Sequence, residues 1–203
     1  MPILLRDGAV CVDTRHVVGE DFAALLAAAQ EGSEGSDYAF SVLWRDANPA
    51  LLRYLRVVAA EHAEDVASET WVQVVRGLAK FTGDEAAWRA WLFTTARRRL
   101  LDQARLRKRH PAEPLDGISA TDMPRTADAE QLALDNIATE SAMALLSRLP
   151  EQQKEVILLR VVAGLDTDMV ADILGTSTGA VRVAAHRGLK KLASLLSGAG
   201  VTL

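Results

Sequence analysis

The chain has 203 residues, 49% of them hydrophobic and 25% charged, with a formal net charge of −4, which is enough apolar material for one or two small packed domains. A single cysteine, Cys11, excludes an internal disulfide, and His16, His62, His110 and His186 share no metal-ligand spacing, so neither a disulfide scaffold nor a metal module is expected. No apolar run approaches the ~20 residues of a membrane span and the start MPILLRDGAVCVD lacks a signal-peptide pattern, which predicts a cytoplasmic protein with no membrane insertion and no cofactor.

Residues 1–19 carry no periodicity that assigns them a role and are read as an N-terminal extension. Beyond them nearly every long segment shows helical spacing, and β-branched runs bounded by hairpin turns are missing, so an all-α fold is expected. Residues 20–30 form a short Ala-rich helix that the Gly-Ser-Glu-Gly-Ser stretch at 32–36 ends. Asp37 is placed to cap the next helix, which carries Phe40, Leu43 and Trp44 and meets Asn48-Pro49. Proline starts helices but does not continue them, so a new helix lined by Leu51, Leu52, Tyr54, Leu55 and Val58 is expected there.

From Asp65 the apolar positions Ala67, Trp71, Val74, Leu78 and Phe81 step by four and three, an inward stripe that leaves Asp65, Glu69 and Arg76 outside. The stretch Phe81-Thr82-Gly83-Asp84 breaks the pattern. A long helix follows, with Trp88, Trp91, Leu92, Ala96 and Leu100 toward a core and cations elsewhere. Tryptophans at this spacing are core residues rather than base-stacking wedges.

Total charge hides a strong asymmetry. Residues 89–110 hold Arg89, Arg97, Arg98, Arg99, Arg105, Arg107, Lys108 and Arg109 against Asp102 alone, a local charge of +7. Residues 111–141 carry seven acids against Arg125, and residues 176–203 contain no acid. A basic, acidic, basic alternation fits a nucleic-acid binder whose footprint is local. Pro111, Pro114 and Pro124, with no sustained apolar period around them, mark a solvated linker over 111–139 between helical domains at 20–110 and 140–198.

After the linker come a helix with Leu145, Leu146 and Leu149, a second opened by Pro150, then Gly164 as its C-terminal stop and Asp166 as the next N-cap. Residues 167–190, TDMVADILGTSTGAVRVAAHRGLK, have the spacing of a helix-turn-helix. Ala171 lets two helices cross closely, Gly175 supplies a left-handed turn, Ile173, Leu174 and Val181 fill the core beneath, and Ser177 caps the second helix. That helix presents Thr178, Arg182, Val183, His186 and Arg187 on its accessible side, the length and polarity of a probe for the major groove.

FSVLWRDANPALLRYL, EDVASETWVQVVRGLAKF and AWRAWLFTTARRRLLDQARLRKR resemble region 2 of the extracytoplasmic-function (ECF) sigma factors, a branch of the sigma-70 family. LSRLPEQQKEVILLRVVAGL with the helix-turn-helix resembles their region 4. The resemblance implies a non-enzymatic alternative sigma factor of RNA polymerase that directs promoter recognition and transcription initiation under the control of an anti-sigma factor. It implies docking of region 2 on the clamp helices of the polymerase β′ subunit through Asp65, Glu69 and Val72, and of region 4 on the β flap. Capture of the −10 element of promoter DNA falls to Arg97, Arg98, Arg99 and Arg105, beside the loop from Phe81 to Ala87. A basic helix suits that task, because opening a duplex bares phosphates and unstacked bases. Contacts to the −35 element fall to Arg160, Thr178, Arg182, Val183, His186 and Arg187, with Arg160 on the backbone. The resemblance also implies that the two domains close on each other in the inactive state.

Departures from the family pattern are local. Asp166-Thr167-Asp168-Met169-Val170 stands where many relatives have Ser-Tyr-Glu-Glu-Ile, keeping a cap residue without its reciprocal carboxylate. Arg98 replaces a common asparagine and Val183-Ala184 a common Ser-Arg, so promoter preference does not transfer. The alternatives are an enzyme, for which no nucleophile, base or phosphate-loop constellation exists, and a stand-alone helix-turn-helix regulator, which needs no basic melting face in its first domain.

Overall fold

The computed structural model describes residues 18–32, 35–109 and 144–198, and every regular element among them is helical. The first bundle contains α1 (Phe22–Glu31), α2 (Ser36–Val58), α3 (Ala63–Leu78) and α4 (Glu85–Arg109). The second contains α5 (Glu151–Ile157), α6 (Thr167–Leu174) and α7 (Thr178–Gly198), preceded by a helical turn over 144–147. Most of the expected N-terminal extension and all of the acidic linker lie outside the described residues.

The anticipated break at Pro49 does not occur, since α2 runs through it. Proline inside a helix removes one backbone hydrogen bond and costs about 3 kcal/mol, and burial of Ala47, Ala50 and Leu51 around it offsets that loss. Asn48 is fixed as well, its Oδ1 accepting a hydrogen bond from Trp71 Nε1 at 2.9 Å. Asp37 does not cap α2 either. The helix already begins at Ser36, and Asp37 sits in its first turn, where its charge favours the positive end of the helix dipole.

The α3 stripe is buried as its period requires, with Ala67, Trp71, Val74 and Leu78 all turned inward. Helices α3 and α4 meet closely at Gly77, where a Cβ would stand 2.8 Å from the Trp91 ring. The freed space lets Trp91 stack on Phe81, with centroids 5.0 Å apart and planes 15° from parallel. Trp88 is fully buried, its ring against Phe22, Trp71, Phe81 and Trp91. Gln30 ties α1 to this corner, its Nε2 donating to the carbonyls of Leu78 at 2.8 Å and Phe81 at 2.7 Å.

In the second bundle α5 runs straight into a π-helical turn, Leu158–Val162, in which the Ala163 N–H bonds the Leu158 carbonyl at 3.0 Å. Such a turn inserts one residue into the helical ladder and re-aims the side chains beyond it. Gly164 and Gly175 adopt left-handed backbone at φ 69° and 64° and end α5's extension and α6. Ala171 and Val181 are buried where α6 crosses α7. Ser177 Oγ accepts the Ala180 N–H at 3.2 Å, the expected cap of α7. Asp166 precedes α6 without a side-chain cap bond; its carboxylate lies 3.7 Å from Arg160 instead. The two bundles touch along α2 with the Leu158–Val162 turn and along α4 with α6.

Candidate nucleic-acid and polymerase interfaces

Helix α7 presents Arg182, Val183, His186 and Arg187 to solvent while Val181, Ala184 and Gly188 turn inward. The residues expected to reach base edges therefore share one open face, and Val183, 49% exposed, supplies an apolar surface suited to a thymine methyl. Thr178 opens the helix and is half-buried. Arg160 stands apart from this group: its Nη1 donates to the Leu165 carbonyl at 2.8 Å, so it braces the loop into α6.

The basic helix sorts into three kinds of arginine. Arg89 is turned into the core, hydrogen-bonded to Asp46 and, at 3.2 Å, to Glu85, and belongs to the first bundle's interior. Arg97 is held by Glu155 of α5, Nε to Oε1 at 2.8 Å. Arg98 and Arg105 are exposed and Arg99 is half-buried, with Arg105 also 3.3 Å from Asp102. The local charge of +7 counts all of these alike; packing turns Arg89, which was not among the expected −10 contacts, into the core, and engages Arg97, which was, with Glu155.

On α3, Asp65, Glu69 and Val72 fall at successive turns of one exposed face, opposite the buried stripe. Val75, 53% exposed, extends the apolar part of that surface. Tyr38 is also exposed, at 69%. The sequence reading named neither, although for Val75 its place three residues beyond Val72 on an otherwise polar face is a usable signal. Glu155 and Tyr54 were missed for a different reason, because their meeting joins segments 101 residues apart. Among the described residues no group of three or more His, Cys, Asp or Glu side chains could hold a metal, and no helix is long and apolar enough to cross a membrane.

Comparison with known proteins finds family matches for segments in both bundles. Residues 43–110 match the family described as Sigma-70 region 2, and residues 139–192 match Sigma-70, region 4. The ECF RNA polymerase sigma factor ShbA of Streptomyces griseus is 34% identical over 80% of this chain and 90% of that protein. SigD of Mycobacterium tuberculosis, also an ECF RNA polymerase sigma factor, is 32% identical over 90% of this chain and 87% of its own. Two solved structures share the fold: CnrH in complex with the cytosolic domain of CnrY (TM-score 0.58, 23% identity, 88% of this chain and 99% of that one), and the sigma factor RpoE in complex with the anti-sigma factor NepR from Bartonella quintana (TM-score 0.56, 21% identity, 78% and 96%). With regions 2 and 4 both matched and relatives above 30% identity spanning most of its length, the chain belongs to the ECF RNA polymerase sigma factors, the non-catalytic initiation factors through which RNA polymerase recognises promoters.

Proposed function

We propose that the two helical domains, 20–110 and 140–198 with a linker over 111–139, divide promoter recognition between them. Arg182, Val183, His186 and Arg187, with Thr178 at the helix start, read the −35 element in the major groove, while Arg160 acts beside the phosphate backbone. Arg97, Arg98, Arg99 and Arg105 hold the phosphates of the opened −10 strand. Asp65, Glu69 and Val72 engage the β′ clamp helices, and region 4 meets the β flap. The observation that carries the division is the segregation of exposed groups: cations on α4 and α7, acids with a bare valine on the outer side of α3.

The chain works in the cytoplasm, where its polymerase is, and has no enzymatic activity of its own. An anti-sigma protein restrains it, as the Bartonella relative is found with NepR. The face assignments are tested by binding purified core polymerase. Glu69→Arg with Val72→Glu is expected to abolish complex formation, and Arg182→Ala with Arg187→Ala to leave it intact; equal loss in both would overturn the division of labour.

A further inference from the structure

Among the described residues one buried side-chain polar atom has no hydrogen-bond partner: Oε1 of Gln153, on α5. Buried acceptors are satisfied in the great majority of cases, so an orphan calls for a reason. Its place in the fold supplies one. Helix α5 packs closely on α7 at Gly188, where an added Cβ would stand 3.3 Å from the Gln153 Cβ. Gln153 is thereby fixed beside the α7 backbone one residue past Arg187, and both side chains line an open cleft of about 300 Å³.

Of the residues expected to read the −35 element, Val183 and Arg187 line this cleft, and Arg182 and His186 do not. The rest of its α7 wall is Gly179, Ala180 and Ala184, whose side chains carry no donor. Among the described residues no acid lines the cleft, and Arg187 is exposed. A guanidinium has five N–H donors in a rigid plane, and bidentate recognition of guanine O6 and N7 takes two of them. Another edge is left for a protein acceptor. Arg89 and Arg97 are held by carboxylates, whereas the acceptor beside Arg187 is a neutral amide, which can orient the cation without competing for its charge against DNA.

Resting on the reading of α7 as the −35 probe, we propose that Gln153 is a positioning residue for Arg187. On duplex binding its Oε1 accepts one guanidinium N–H and fixes the plane of the arginine, so that the opposite edge meets a guanine. The acceptor left unsatisfied in the free chain gains its partner in the complex. Gln153 touches no base itself; it narrows the orientations from which Arg187 can do so.

The test uses the full chain assembled with core RNA polymerase. Its templates are promoters defined by run-off transcription with the wild-type chain, and copies with each single base substitution across the −35 element. Initiation on the parent divided by initiation on each copy gives the discrimination at every position, and Arg187→Ala identifies the base pair that Arg187 reads. Gln153→Leu is expected to lower discrimination at that base pair roughly three- to tenfold and to leave the other positions unchanged. The thermal midpoint of the free chain should hold or rise, because an unsatisfied acceptor is removed. Gln153→Glu keeps an acceptor and retains the discrimination, and in an Arg187→Ala background Gln153→Leu has no further effect. Undiminished discrimination in Gln153→Leu, an equal loss at all positions, or a loss that persists in the Arg187→Ala background would each overturn the proposal. An Arg187→Ala chain that discriminates like the wild type at every position would instead overturn the assignment of Arg187 to the −35 element, and the proposal with it.

Discussion

Arg89 on α4 and Asp46 on α2 form an ion pair inside the first bundle, with side chains only 8% and 7% exposed. Glu85, one turn before Arg89 on α4, takes the guanidinium's Nε at 3.2 Å. The pair pins the start of the basic helix to α2 and so sets where the exposed arginines of α4 project. Removing one partner leaves a buried charge uncompensated, which costs about 3–5 kcal/mol. Arg89→Met is therefore expected to lower the stability of the first bundle by that order in urea denaturation. Arg98→Ala, on the solvent side of the same helix, should shift stability by less than about 0.5 kcal/mol and act on open-complex formation instead.

Arg187→Ala tests the duplex-reading face. A side chain that reads a base edge is worth about 1–3 kcal/mol of discrimination. Initiation at promoters defined with the wild-type chain should fall by roughly 5- to 150-fold at that cost, with the thermal midpoint unchanged. Equal initiation by variant and wild type would remove Arg187 from the −35 contacts.

Arg160 separates bracing from DNA contact. Its bond to the Leu165 carbonyl is worth about 0.5–1.5 kcal/mol net, so Arg160→Ala should destabilise the second bundle by that amount, read as faster amide exchange around 165–170. A variant that loses phosphate affinity with no change in exchange would show that the arginine serves DNA alone.

Two glycines differ in what their substitution costs. Gly175 has open space where a Cβ would be but a φ of 64°, so Gly175→Ala incurs only the left-handed backbone penalty, about 1–2 kcal/mol. Gly77 has ordinary helical backbone, but its Cβ would stand 2.8 Å from the rigid Trp91 ring. Gly77→Ala should cost about 1–3 kcal/mol by overpacking and also perturb the Phe81–Trp91 stack, visible in near-ultraviolet circular dichroism; Gly175→Ala should leave that signal alone.

Helical period was enough to find α3, α4 and the α6–α7 pair in the sequence, because each has a buried stripe and a turn residue whose chemistry is local: Asp84, whose Oδ1 accepts the Ala87 N–H, Gly175, and Ser177. Pro49 misled for a physical reason. The rule that proline ends helices is a statement about backbone hydrogen bonds, and here Ala47, Ala50 and Leu51 bury enough surface to override it. Asp166 was recognisable as the residue before α6, but the direction of its carboxylate depends on Arg160, which only the fold brings near. For the site, the exposed row on α7 was legible because it lies within one helix. The division between Arg89 and Arg97, which are held inside the molecule, and the exposed Arg98 was not, since Asp46 and Glu155, which hold the first two, come from other helices.

The most direct test of the chain's role is run-off transcription with purified core RNA polymerase on a library of genomic promoter fragments, followed by sequencing of the transcripts. Starts that appear only when chain and core are both present, and that share two spaced sequence elements upstream, are the expected result. An active core that initiates no differently with the chain added, while the chain alone protects specific duplex sites, would contradict it.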